Sequence, residues 1–312
     1  MISAQDITKR FGSLVAVDGV SFEVEKGELL GFIGPNGAGK TTTMRMLTGY
    51  LPTSGGKAVV AGHDVFEDPM SVRRKVGYLP ETPPLYTELT VGDYLHFVAE
   101  IREVPAKGRS RRVGEVMERV GLSGWESRIL GSLSKGYRQR VGLAQAVIHD
   151  PEVLILDEPT SGLDPAQMVG IREFILDLAQ DRTVVLSTHI LSQVELLCPR
   201  VVMIADGRIV ADGPIDTVRE EAGYGMRYRV ELQADGLDDG ALAKQVGDLE
   251  GVDQVRALAG EAGFAHLELR AAADPRTAVA GLATARGWQV RAMERHVPSL
   301  EEAFLAIVGR EK

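Results

Sequence analysis

One segment narrows the folds open to this chain more than any other: Gly34-Pro35-Asn36-Gly37-Ala38-Gly39-Lys40-Thr41. It fills the pattern G-x-x-x-x-G-K-[ST]. It follows the solid apolar run Leu29-Leu30-Gly31-Phe32-Ile33 and precedes Lys40 to Leu47, whose composition is helical. Strand, glycine loop and helix in that order make a phosphate-binding loop. Glycines let successive amide N–H groups turn toward phosphate oxygens, and the helix start adds its positive end. Lys40 is expected on the outer phosphates, Thr42 among the nucleotide-binding residues, and the Thr41 hydroxyl at the magnesium ion. A glycine-rich loop with an incidental Lys-Thr is the bland alternative, and the strand and helix around it make that alternative a poor one.

A second solid apolar strand, Val153 to Leu156, ends in Asp157-Glu158; a helix from about Pro165 to Ala179 and a third strand, Thr183 to Ser187, follow. Uninterrupted apolar strands alternating with helices indicate a mainly parallel sheet covered on both faces. Ligands of such sheets lie in the crevice at the carboxyl ends of the strands. There Asp157 is expected to hold magnesium, directly or through water, and Glu158 to polarise an attacking water as general base. Two acidic residues at a strand end could simply begin a loop, but the phosphate loop weighs against that.

The N-terminal stretches Ile2-Ser3-Ala4-Gln5-Asp6-Ile7 and Val20-Ser21-Phe22-Glu23-Val24-Glu25 alternate apolar and polar residues, as half-buried antiparallel strands do. Between about Thr87 and Val147 the apolar residues fall at helical spacing, as in Tyr94, Phe97, Val98 and Ile101, which reads as a helical insert. Composition shifts near Gly213. From Met226 onward the pattern is strand, helix, strand, strand, helix, strand, helix, the order of a small α+β, ferredoxin-like domain with one added helix. The expected domains are 1–216, with a helical subdomain at about 87–147, and 217–312. No cluster of His, Cys or paired carboxylates suggests a second active site in the latter.

Composition removes several function classes. A net charge of −9 offers no electrostatic case for nucleic acid, so no such partner is expected, and the basic cluster Lys107 to Arg112 is expected on a solvated loop or helix face. The single cysteine, Cys198, allows no internal disulfide and is expected as a small buried apolar residue in a reducing compartment. No apolar run approaches the roughly 20 residues of a membrane helix. The N-terminus lacks the basic-then-apolar segment of a signal peptide, so a cytoplasmic location is expected.

Further motifs carry a resemblance. Leu133-Ser134-Lys135-Gly136-Tyr137-Arg138-Gln139-Arg140 resembles the signature motif of ATP-binding cassette (ABC) ATPases; Leu156 to Asp164 reads Leu-Asp-Glu-Pro-Thr-Ser-Gly-Leu-Asp, and His189 follows the third strand, where the family keeps a switch histidine. The resemblance covers about Met1 to Asp216. It implies the ATP-binding and ATP-hydrolysing subunit of an ABC transporter, with ATP and Mg2+ as cofactors. Such subunits work as a homodimer on integral membrane permease subunits, peripheral on the inner face of the cell membrane. Two copies sandwich two nucleotides in that family, so Ser134, Gly136 and Asp164 would serve the ATP of the opposite subunit. His189 would donate to the γ-phosphate, and Phe11 resembles the aromatic on which adenine stacks.

Two departures stand out: Glu81 replaces the family's glutamine, which senses magnesium and water, and the signature reads Ser-Lys-Gly-Tyr rather than Ser-Gly-Gly-Gln. Both resemble variants of the type-2 export branch of drug, polysaccharide and gliding-motility-associated transporters, as does the C-terminal extension ending in Pro298-Ser299-Leu300-Glu301-Glu302-Ala303-Phe304. The permease is expected to dock near Glu81 to Tyr86. The rival reading, a soluble ABC ATPase acting on nucleic acid or ribosomes, usually comes with two cassettes or a long coiled coil, and neither is visible. A non-catalytic regulator would lack the general base, and Glu158 is present.

Overall fold

The computed structural model describes residues 1–220, 222, 226–234, 236, 238–259, 263–271 and 273–310. The backbone divides into two compact units, Met1–Ile215 and Asp216–Lys312.

The first unit is built on a six-stranded sheet, in the order Arg208–Pro214, Arg200–Ala205, Leu29–Ile33, Thr183–Thr188, Val153–Asp157 and Val76–Leu79. Every pairing is parallel except that of the edge strand Arg208–Pro214. The solid apolar runs are the inner strands: Leu29–Ile33 and Val153–Asp157 are buried at every position. A strand covered on both faces has no solvent side to alternate toward.

A second, antiparallel sheet takes Leu14–Val24, Ile2–Phe11, Gly55–Val60 and His63–Asp64 in that order. Its alternating residues Ile2, Ala4, Val20, Phe22 and Val24 share one core with Leu30, Phe32, Val202 and Ile204 of the parallel sheet and Met44 and Leu47 of the helix Lys40–Leu47. The Phe22 and Phe32 rings meet at 5.4 Å in this layer.

Three helices form the insert: Val91–Ile101, Arg109–Arg119 and Lys135–Val147. Thr90 caps the first, its hydroxyl accepting from the Asp93 amide at 3.1 Å. The basic cluster lies on the exposed face expected of it at Lys107, Gly108, Ser110 and Arg111, while Arg109 and Arg112 are partly covered. Arg112 donates to the carbonyls of Ile148 (2.9 Å) and Val147 (2.8 Å), and Arg109 to that of Val104 at 3.2 Å. The last carbonyls of a helix have no partner within it, so a guanidinium from a neighbouring helix is a favourable cap.

The helix Lys135–Val147 crosses the sheet at Gly77, where a Cβ would lie 2.1 Å from the Ala146 carbonyl oxygen. Two backbones meet there and neither can give way cheaply. Gly77→Ala is expected to destabilise the first unit by about 1–3 kcal/mol. A urea denaturation midpoint equal to that of the unaltered protein would show that the crossing tolerates a methyl group.

Cys198 is a buried free thiol, pushed up to about 12 by burial, so it packs as an apolar residue. Among the described residues no helix is long and apolar enough to cross a membrane.

The second unit has a four-stranded antiparallel sheet in the order Val252–Leu258, Ala265–Ala271, Met226–Gln233 and Gln289–His296. With the helices Asp239–Gly247 and Arg276–Arg286 between strands, this is the ferredoxin-like arrangement, followed by the added helix Leu300–Arg310. Tyr228, Val230, Leu232, Leu267 and Leu269 pack with Leu242, Val246 and Val279 into its own core.

Candidate nucleotide site

Parallel pairing sets the site. Ile33 lies beside Thr188 and Asp157 beside Ser187, so three adjacent strands end level and deliver the glycine loop, Asp157-Glu158 and His189 to one edge. The loop needs its glycines for stated reasons. Gly37 and Gly39 adopt φ of 83° and 104°, and a Cβ on Gly34 would lie 2.2 Å from the Ile204 carbonyl oxygen. Pro35, Asn36 and Gly37 are exposed, while Ala38 and Gly39 are buried. The helix Lys40–Leu47 has no side-chain cap and no acidic residue in its first turn, which leaves its first N–H groups for an anion.

Lys40, 6% exposed, folds back so that its ammonium donates to the carbonyls of Gly34 (2.7 Å) and Pro35 (3.1 Å). Burial lowers its pKa, and the charges of Glu158, Asp157 and Glu81 oppose that shift. Thr41 and Thr42 are half-buried; Thr43 is buried, its hydroxyl donating to the Gly39 carbonyl at 3.0 Å.

Asp157 has no exposed surface, and among the described residues neither of its carboxylate oxygens has a hydrogen-bond partner. Burial raises its pKa, the neighbouring hydroxyls of Thr41 and Ser187 act in the other direction, and Glu158 and Glu81 raise it further. A buried pair of orphaned acceptors is costly unless something cationic joins it. The oxygens of Asp157 and Thr41 are the hard donors that magnesium takes, and with phosphates completing the shell no all-protein cage is needed. Among the described residues no group of three or more His, Cys, Asp or Glu side chains could hold a metal ion alone. Glu81 is exposed, just beyond the strand Val76–Leu79. It joins this group through its charge on Lys40 and Asp157.

Glu158 is 5% exposed and sits at φ 51°, a left-handed conformation uncommon for a side chain of its size. Its Oε1 accepts from the His189 amide (2.9 Å) and the His189 ring Nδ1 (2.7 Å), and its Oε2 accepts from the Thr188 hydroxyl at 3.0 Å. The Lys40 ammonium stands 4.0 Å from Oε1. The His189 side chain is 44% exposed, so the ring spans from a buried carboxylate to the open edge of the site.

The remaining residues form a separate group. Ser134 caps the helix Lys135–Val147, accepting from the Tyr137 amide at 3.4 Å, and Asp164 caps the helix Pro165–Ala179, accepting from the Gln167 amide at 2.9 Å. Gly136 lies against the Gln167 side chain, where a Cβ would be 2.0 Å from its Oε1. Ser134 and Asp164 are exposed, and among the described residues no hydrogen bond or ion pair joins Ser134, Gly136 or Asp164 to Lys40, Thr41 or Asp157. Phe11, 47% exposed at the end of its strand with the Lys9 ammonium 5.3 Å from its ring, is not the core residue a lone phenylalanine usually is.

One residue of this region lies outside every motif: Thr188, which bonds Glu158 directly. Two others lie inside motifs whose reading gives them no role: buried Gln139 donates to the Glu158 carbonyl at 3.4 Å, and the Thr160 hydroxyl donates to Gln193 at 2.5 Å. The only trace of Thr188 is a polar residue closing an apolar strand immediately before His189.

Next to this site is a cleft of about 360 Å³, lined by Arg45, Tyr50, Arg73, Tyr78, Arg102 and Gln145 among others and by no carboxylate. Tyr86, 55% exposed, stands near it with its ring 5.6 Å from that of Phe97.

Residues 17–161 match the family model described as ABC transporter. An uncharacterized ABC transporter ATP-binding protein of Nostoc sp. is 42% identical over 223 residues, 70% of this chain and 65% of that protein, so the chain spans just under two thirds of its length. The linearmycin resistance ATP-binding protein of Bacillus subtilis is 31% identical over 313 residues, 99% of each chain. Among solved structures, the ATP-binding subunit of an ABC transporter is similar with a TM-score of 0.67 and 31% identity, covering 72% of this chain and 93% of that one.

Proposed function

Since the chain belongs to the ABC transporter family of ATP-binding proteins, ATPases that act on ATP with Mg2+, we propose that two copies close around two MgATP and drive export through a separate integral membrane permease. The observation that carries this reading is the meeting of the glycine loop, an unpaired buried Asp157, Glu158 and His189 at the level ends of three parallel strands.

Each residue then has a task. The amides of Gly34 to Gly39 and the first turn from Lys40 to Thr42 cradle the phosphates, and the Lys40 ammonium leaves the Gly34 and Pro35 carbonyls for the outer ones. Thr41 and Asp157, with Glu81 alongside, would hold the magnesium ion, which when bound neutralises charge on the terminal phosphates. Glu158 takes a proton from the attacking water, and the exposed edge of His189 turns to donate to the terminal phosphate. Phe11 offers its ring to the adenine. Ser134, Gly136 and Asp164, apart from their own chain's loop, serve the nucleotide held by the second copy.

Export, as opposed to uptake, is supported by the relative that spans the whole chain, whose name gives it a part in linearmycin resistance. The cleft by Tyr86, with Arg45, Arg73 and Arg102 and no carboxylate, suits a permease segment that is aromatic-compatible and acidic, which would hold the ATPase on the inner face of the cell membrane. The second unit has its own core and supports the dimer or regulates it.

The test starts with nucleotide itself. Phosphate release from ATP should require magnesium. Lys40→Ala should weaken ATP binding at least about tenfold, because it removes the buried cation of the phosphate cradle. Titration with ATP in the presence of chelator measures the affinity separately from turnover. An affinity unchanged by Lys40→Ala would remove the glycine loop from its role.

A further inference from the structure

We infer that Thr188 is a positioning residue for the general base, holding the Glu158 carboxylate in the orientation from which it takes a proton; the inference rests on the reading of Glu158 as that base. Thr188 is the last residue of the strand Thr183–Thr188 and is completely buried. Its hydroxyl accepts from the Ile190 amide at 3.1 Å and donates to Glu158 Oε2 at 3.0 Å. A hydroxyl has one proton to give, and with an amide donating to its oxygen that proton is directed at the carboxylate.

The contacts of Glu158 differ in how long they can last. Oε1 is held by the His189 amide and the His189 ring, with the Lys40 ammonium 4.0 Å away. Once the ring turns to the terminal phosphate and Lys40 reaches the outer phosphates, both of those side chains leave Oε1. The His189 amide and the Thr188 hydroxyl remain, one on each oxygen. Among the described residues Thr188 is then the only side chain hydrogen-bonded to the carboxylate. Two donors on two oxygens fix the carboxylate plane, where one would leave it free to rotate about the last bond. The backbone is fixed by the same strand, since the Glu158 amide donates to the Ser187 carbonyl at 2.8 Å.

The choice of residue agrees with this. The middle of the strand, Val184 to Leu186, is apolar, and at position 188 a buried valine would cost less desolvation than a threonine. The hydroxyl is explained by its partners.

The experiment compares Thr188→Val, Thr188→Ser, Glu158→Gln and the Val/Gln double variant in the full-length protein. Steady-state turnover is read beside ATP affinity measured in chelator. Thr188→Val is expected to lower kcat about tenfold to a hundredfold, with ATP affinity and KM changed by no more than about twofold, because the lost bond acts on the base and not on the phosphate cradle. Thr188→Ser, which keeps the hydroxyl, should return kcat to within about threefold of the unaltered protein. In the Glu158→Gln background, adding Thr188→Val should change turnover by less than about twofold, since a positioning residue has nothing left to position.

A Thr188→Val protein with unaltered kcat, one that loses ATP affinity in parallel with kcat, or a serine variant as impaired as the valine variant would overturn the inference. Near-normal turnover of Glu158→Gln overturns the reading of the base instead, so the two failures are told apart. Thr188→Ala, compared with serine in the same assays, gives the same decision should valine prevent folding.

Discussion

Replacing Glu158 by glutamine is expected to lower ATP turnover about 10²- to 10⁴-fold while leaving MgATP binding largely intact, the range a positioned general base supplies. The amide of glutamine has nearly the shape of the carboxylate and can still accept from Thr188 or the His189 amide, so the site around it should survive. What it cannot do is take a proton. The loss amounts to about 3–5 kcal/mol of transition-state stabilisation, against little or no change in ground-state binding. On the proposed cycle, in which hydrolysis reopens the dimer, the variant should also collect as a closed dimer in the presence of MgATP, visible as a shift to twice the mass on size exclusion. Phosphate release in a single turnover separates chemistry from product departure. Hydrolysis close to that of the unaltered protein would take Glu158 out of the role.

The residues of this site differ in how they can be found, and the differences are physical. The glycine loop is legible because its constraints are local: φ values above +80° at Gly37 and Gly39 and the close approach of Gly34 to the Ile204 carbonyl tie residue type to backbone shape. The inner strands are legible because burial on both faces forces solid apolar runs, and the helix Lys40–Leu47 because it must follow the loop. Thr188 is not legible in that way. Its significance lies in a side chain 30 residues earlier, brought beside it only by parallel pairing of two strands.

The same holds for Arg112 and Gly77, whose partners sit on the helix Lys135–Val147 and are set by how that helix crosses the sheet. In the second unit the sequence of strands and helices follows from periodicity, whereas the order in which the strands pair does not. Placing Met226–Gln233 between Ala265–Ala271 and Gln289–His296 is a long-range choice made by the shared core. The basic run from Lys107 is exposed as expected except at Arg109 and Arg112, and these two differ for a related reason. Hydropathy treats arginine as solvated, but its guanidinium can serve helix carbonyls while its stem stays covered, as Arg112 does.

A mixture of two inactive variants is expected to regain activity, because the site proposed here is shared between two copies. Ser134 and Asp164 are exposed on their own chain and, among the described residues, make no bond to its glycine loop, while Asp157 and Glu158 lie at the sheet edge beside that loop. Ser134→Arg keeps a working loop and spoils the surface that would meet the partner's nucleotide; the lost helix cap costs only about 1 kcal/mol. Lys40→Ala does the reverse. As separate homodimers both should be nearly inactive, each having two defective sites. After exchange at equal amounts, half of the dimers are mixed, and each mixed dimer has one intact site of two, so activity should reach about a quarter of that of the unaltered protein at the same total concentration. Different tags on the two subunits isolate the mixed dimers, so that their turnover is read apart from that of the parent homodimers. A mixture no more active than the average of its parts, with mixed dimers shown to form, would mean that each chain completes its own site.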